Sequence, residues 1–185
     1  FYINENFIKE FLNNTPSSTK NWKQGFYLNE DDSVDEIEIR LKGDNPANWF
    51  FEKKHWRIKT KKNKLIERQR EFEYLPFDFQ IYLSGKIANS LDIISPNFKP
   101  IELFINEKSQ GTYIETENLN ESFLRRKKIM PVNLYKGEQI LAETIIELEN
   151  NLFNSPGALK KIAHFNQTDF NDKSDLFYLF DLFQS

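Results

Sequence analysis

The segment from Pro100 to Glu117 constrains the fold more than any other stretch of the chain. Ile101, Leu103 and Ile105 alternate with Glu102, Phe104 and Asn106, a polar turn follows that ends at Gly111, and Thr112 to Thr116 alternates again. Period-two patterning on both sides of a short polar link marks a β-hairpin. Strands joined this closely are antiparallel neighbours, so the chain must build an antiparallel sheet around the pair. Tyr113, Glu115 and Glu117 share one face of the second strand. At least one of those carboxylates is therefore expected to point into a pocket or the edge of the core.

The same period recurs upstream. Val34 to Lys42 puts Ile37, Ile39 and Leu41 on one side and Glu36, Glu38, Arg40 and Lys42 on the other, a half-buried strand. Phe26 to Leu28 begins an earlier strand, set apart by the acidic turn Glu30-Asp31-Asp32-Ser33. Lys53 to Thr60 is the next, with Trp56 and Ile58 inward. On that register Lys54 shares the inward side, while His55, Arg57 and Lys59 face the other way. Sequence does not fix register, so Lys54 is the first candidate for an anion contact, with Arg57 and Lys59 as alternatives. A solvated basic strand continued by Lys61, Lys62 and Lys64 explains the same residues without function. Between the two strands, Gly43 to Asn48 is rich in turn formers and reads as a loop.

Helices are expected around these strands. Asn4 is placed to cap a helix through Leu12 that carries Phe7, Ile8, Phe11 and Leu12 on one face. Glu67 to Glu73 reads as an exposed turn or short helix. Pro76 then opens a helix from Phe77 to Leu91 with Phe79, Tyr82, Leu83, Ile87 and Leu91 as its core stripe. Asn120 caps a short helix that ends in the basic cluster Arg125 to Lys128, and Val132 to Lys136 is a short strand stopped by Gly137. Ala142 to Leu152 is apolar and acidic by turns, and Ala158 to His164 reads as a short helix. Asp172 or Ser174 caps a last helix whose broad apolar face, with Leu176, Phe177, Leu179, Phe180 and Phe183, calls for a partner: the rest of this domain, a missing downstream lobe or another subunit.

Composition narrows the function. The chain of 185 residues is 39% hydrophobic and 29% charged, enough for one folded domain with a real core. Its 18 Phe are read as core filling. A net charge of −3 gives no electrostatic case for nucleic acid, and no apolar run is long enough to span a bilayer, so a transmembrane protein is not expected. With no cysteine there is no disulfide, thiol catalysis or zinc thiolate site. Two histidines and no serine in a nucleophile elbow leave hydrolase readings without support. The acidic run Asp169, Asn171, Asp172 and Asp175 lacks the glycine and the closing glutamate of a calcium loop. The start at Phe1, without methionine or signal peptide, suggests a processed or excised piece of a longer protein.

Several ordered blocks together resemble the spore coat protein H (CotH) family of atypical protein kinases. They are Ile39-Arg40-Leu41-Lys42-Gly43 followed by Lys53-Lys54-His55-Trp56-Arg57-Ile58-Lys59, then Ile105-Asn106, Gly111-Thr112-Tyr113 and Glu117, then Phe123-Leu124-Arg125-Arg126 and Asn133-Leu134-Tyr135-Lys136-Gly137. The resemblance implies an α+β fold, an antiparallel sheet with a packed helix like a kinase N-lobe, followed by a truncated helical segment. It implies a boundary at Gly137, with residues 1–137 forming the lobe and its connection and residues 138–185 starting an incomplete helical lobe. It further implies ATP with Mg²⁺ or Mn²⁺, and a Ser/Thr protein substrate, phosphorylated in a secreted, cell-surface or spore-coat setting.

Within that resemblance Lys54, Arg57 and Lys59 are the phosphate candidates and Gly43 lies in a loop over the phosphates. Glu117 orients the lysine, with Glu71 and Glu73 as other candidates, and the backbone around Tyr135 meets the adenine. From alternation alone, Glu117 reads first as a surface strand residue paired with a neighbouring lysine. No counterpart to the family's catalytic and metal-binding aspartates is found before Ser185, so this chain alone is expected to be inactive. The alternative is a non-catalytic surface module that binds a protein or glycan.

Overall fold

The computed structural model describes residues 1–15, 17–42, 47–61, 63–66, 69–130, 132–137, 159–163 and 172–184. The chain divides into two compact units, Phe1–Leu119 and Asn120–Ser185.

The first unit is a curled antiparallel sheet with helices, an α+β fold. Its strands are β1 (Tyr2–Ile3), β2 (Lys23–Leu28), β3 (Val34–Leu41), β4 (Trp56–Thr60), β5 (Glu71–Pro76), β6 (Phe98–Ile105) and β7 (Lys108–Glu117). They lie in the order β1-β2-β3-β4-β5-β7-β6, each antiparallel to its neighbours. Helix α1 (Glu5–Asn13) is capped by Asn4, whose side chain accepts from the Asn6 N–H, and it buries Phe11 completely. A short helix α2 (Ala47–Phe50) precedes β4, and α3 (Phe79–Ser90) joins β5 to β6.

Alternation decides the two faces. Ile37, Ile39, Leu41, Trp56, Ile58, Phe72, Tyr74 and Tyr113 form one buried surface, as cross-strand register requires. On the other face the same strands carry Glu38, Arg40, Arg57, Lys59, Glu71 and Glu73. The curl brings the two sheet edges together at one end. The Phe1 ammonium donates to the Phe104 carbonyl (2.8 Å), and the Asn106 side chain both accepts from the Ile3 N–H and donates to the Ile3 carbonyl, each at 2.8 Å.

Four expectations are corrected. The segment read as an exposed turn or short helix at Glu67–Glu73 ends in β5, an internal strand of the sheet; its glutamates alternate with Phe72 and Tyr74, and their charge is matched across the ladder by Arg57. The hairpin turns at Asn106-Glu107, both with positive φ (50° and 65°), a two-residue connection whose twist suits a hairpin. Gly111 (φ 85°) instead sits within β7, opposite Leu103, next to a register shift between Leu103 and Phe104. In α3 the predicted stripe of Phe79, Leu83, Ile87 and Leu91 is exposed. The residues turned inward are Tyr82, Gly85 and Ala88, because the Phe98 ring occupies the space a larger side chain at Gly85 would need. Finally, residues 159–163 form a strand and not a helix.

The second unit contains α4 (Glu121–Arg126), capped by Asn120, the strand pair β8 (Leu134–Gly137) and β9 (Leu159–Ala163), and α5 (Ser174–Gln184). Its buried side chains include Phe123, Leu124 and Leu176. Asp172 accepts from the Ser174 N–H at the start of α5. Ala142–Leu152, Asp169 and Asn171 lie outside the described residues. No described helix is long and apolar enough to cross a membrane.

Candidate functional site

The polar face of β3, β4 and β5 is a lattice of opposite charges. Lys42, just past β3, donates to Glu73 at 2.5 Å; Arg57 donates to Glu71 at 2.8 Å and stands 3.8 Å from Glu73; Lys59 pairs with Glu38 at 2.9 Å. Glu73 is the most enclosed of these, with 12% of its side chain exposed, so its pairing with two cations counts for more than a surface ion pair. Glu71 is also held by the Asn118 side chain (2.7 Å), directly after β7. At the far end Trp22 stacks beneath both Arg40 (4.7 Å) and Lys59 (4.3 Å). Cross-strand pairing explains the pattern, since Arg40 faces Arg57 and Lys59 faces Glu38 across β3–β4, while Arg57 faces Glu73 and Lys59 faces Glu71 across β4–β5.

His55 belongs to the same face. Its backbone N–H donates to the Asn48 carbonyl and its carbonyl accepts from the Lys42 N–H, both at 2.8 Å, so it ties α2 and the end of β3 to the start of β4. Burial, and then the neighbouring Lys42 cation, push the imidazole down to about 4 against a smaller opposing effect of Glu73. A neutral ring at neutral pH avoids adding a third cation beside Lys42 and Arg57.

The other candidates fall in different places. Lys54 precedes β4 and is not part of it; its ammonium donates to the carbonyls of Phe50 and Phe51 at the end of α2, where a cation complements the last unpaired carbonyls. Its own carbonyl accepts from the Tyr113 hydroxyl (3.1 Å), a group that burial raises to about 12. Arg57 and Lys59 do lie together on β4. Glu117 pairs with Phe72 in register and so occupies the opposite, core-side face, where it is buried and accepts from the Asn97 N–H at 3.0 Å. It is therefore separated by the sheet from Arg57 and Lys59, and Glu71 and Glu73 are the carboxylates beside them. Gly43 lies outside the described residues. Tyr135, in the second unit, donates to Asp175 at 2.5 Å, and Asn133 donates to the same carboxylate at 2.6 Å. Burial first, and that bond second, raise the tyrosine far above its usual range. For Asp175 burial pulls upward, but the bonds from Asn133 and Tyr135 outweigh it and the carboxyl is lowered.

Lys42 was missed as a site residue because it reads only as the outward end of an alternating strand. Its significance comes from β5, the strand that the charged sequence concealed.

A protein-family model described as CotH kinase protein matches residues 39–184, most of the chain and all of the charged face from Ile39 onward. The chain belongs to the CotH kinase family. No curated protein matches it. Kinase-family membership makes ATP and a divalent metal the groups to test against these residues. Lys42, Arg57 and Lys59 on one sheet face suit phosphate oxygens, with Arg57 able to engage two of them at once. The metal finds no such fit: among the described residues no three His, Asp or Glu side chains converge as ligands, so no step is routed through a metal here.

Proposed function

We propose that this CotH kinase family chain supplies the nucleotide-binding part of a protein kinase that transfers the γ-phosphate of ATP to Ser or Thr of a protein. The observation that carries the reading is the cation set Lys42, Arg57 and Lys59, held by Glu73, Glu71 and Glu38 on one face of the sheet. A kinase lobe needs a cation on the phosphates and a carboxylate that fixes it. Lys42 with Glu73, beside Arg57, offers that pair. Bound phosphates would compete for cations already oriented by their carboxylates, so little side-chain ordering remains at binding. Beside this face, Lys54 holds the end of α2 through the carbonyls of Phe50 and Phe51. ATP with Mg²⁺ or Mn²⁺ is the expected cofactor, and a secreted, surface or spore-coat protein is the expected substrate.

A second reading has one observation in its favour: each of these cations already has a carboxylate partner, which is also how a purely structural charge ladder would look. On that reading the chain is a non-catalytic interaction module. Titration of the protein with ATP and Mg²⁺ by calorimetry separates the two. Saturable binding that Arg57→Ala weakens roughly 10-fold or more, the scale of one lost charged hydrogen bond, with folding intact by circular dichroism, supports the nucleotide site. No binding to the wild-type chain refutes it. Lys54→Ala is expected to weaken binding less than Arg57→Ala.

A further inference from the structure

The curled sheet does not close completely. β1 and β6 are its two edges, and among the described residues they are joined by hydrogen bonds between Phe1 and Ile3 on one side and Phe104 and Asn106 on the other. Beside that seam a cleft of about 620 Å³ lies between Tyr27 and Leu28 on one side and Ile101 and Leu103 on the other, with the buried Tyr74 among its lining residues. Tyr27, Tyr74, Ile101 and Leu103 belong to the core-side face, so the cleft is on the opposite side of the sheet from the Arg57–Glu73 lattice. Four glutamates line it, Glu30, Glu102, Glu107 and Glu115, against one side-chain cation, Lys99. Among the described residues β6 pairs with no strand but β7, and Phe1 bonds its outer edge at the C-terminal end, donating to the Phe104 carbonyl and accepting from the Asn106 N–H.

A sheet edge beside an apolar trough recognises extended peptide: the backbone adds to the ladder and alternate side chains enter the trough. The acidic rim selects the sign of the others. We propose that this cleft docks an extended peptide segment in which basic residues alternate with apolar ones, added as a strand to the outer edge of β6. Apolar side chains rest on Tyr27, Tyr74 and Ile101, and the basic ones face Glu30, Glu102 and Glu107. The inference does not depend on the nucleotide reading.

The probe is a fluorescein-labelled, end-capped octapeptide of alternating arginine or lysine and valine, followed by anisotropy with the full chain. Saturable binding is expected. It should weaken at least about 10-fold in the double variant Glu30→Lys, Glu107→Lys, two exposed positions outside the lattice, and should be lost when the valine amides are N-methylated. Hydrogen exchange at β6 should slow when peptide is bound. Absence of saturable binding, equal binding of the glutamate-for-basic peptide, or unchanged binding in the double variant overturns the proposal.

Discussion

Replacing Gly85 by alanine tests how α3 is seated on the sheet. A Cβ at this position would lie 2.1 Å from Phe98 Cδ2, 2.6 Å from Cε2 and 2.9 Å from Cγ. Carbon atoms in contact sit about 3.5–4.0 Å apart, so helix and ring must separate by roughly 1.5 Å. Overpacking of that kind costs about 1–3 kcal/mol. Alanine in a helix interior returns about 1 kcal/mol relative to glycine, which leaves a net loss of about 1 kcal/mol in the middle of the range. The same substitution made on a Phe98→Ala background meets no ring, and only the helix preference remains. Gly85→Ala should then stabilise by about 1 kcal/mol. Urea unfolding of the four proteins of this cycle, followed by tryptophan fluorescence, measures the difference. Equal effects of Gly85→Ala in the two backgrounds, within about 0.5 kcal/mol, would refute the contact as the reason for glycine here.

Two further outcomes are expected. His55 has a folded-state pKa of about 4 against an ordinary value of 6.5, so its contribution to stability is complete above about pH 6.5 and is lost as pH falls toward 4. The full shift would correspond to about 3 kcal/mol, and the ring's partial exposure reduces this to about 1–2 kcal/mol; the stability gap between wild type and His55→Gln should narrow across that window, and a gap independent of pH would contradict the assignment. Asn106→Gly keeps a residue tolerant of φ 50° but removes both side-chain bonds to Ile3, and should cost about 1–3 kcal/mol. Amide exchange at Ile3 should accelerate while exchange at Ile58 does not.

The sequence made the sheet legible wherever one face is apolar and the other charged. β3 and the β6–β7 hairpin were read from Ile37-Ile39-Leu41 and Ile101-Leu103-Ile105, and the caps at Asn4 and Asn120 from their side-chain chemistry. β5 escaped for the reason that makes it important to the site: Glu71 and Glu73 look like solvated charge until Arg57 and Lys42 are seen opposite them. Pairing across strands is a non-local property that a local pattern does not contain. The α3 stripe failed for a related reason, since the inward side of that helix was chosen by Phe98, a residue on the next strand, and not by the helix's own apolar residues. Glu117 was correctly placed with Tyr113 and Glu115 on one face, but which face that was depended on its pairing with Phe72.

The seam between β1 and β6 also sets an order of events. Its hydrogen bonds join residues 103 positions apart, from Phe1 to Phe104 and from Ile3 to Asn106. Contacts so distant in sequence carry a large chain-closure cost, and the curl that brings the two edges together is the accumulated twist of the strands between them. The seam is thus expected to assemble late. Because a few hydrogen bonds at one end of β6 hold it, the width of the cleft beside it is expected to follow a local opening equilibrium rather than the global stability of the domain.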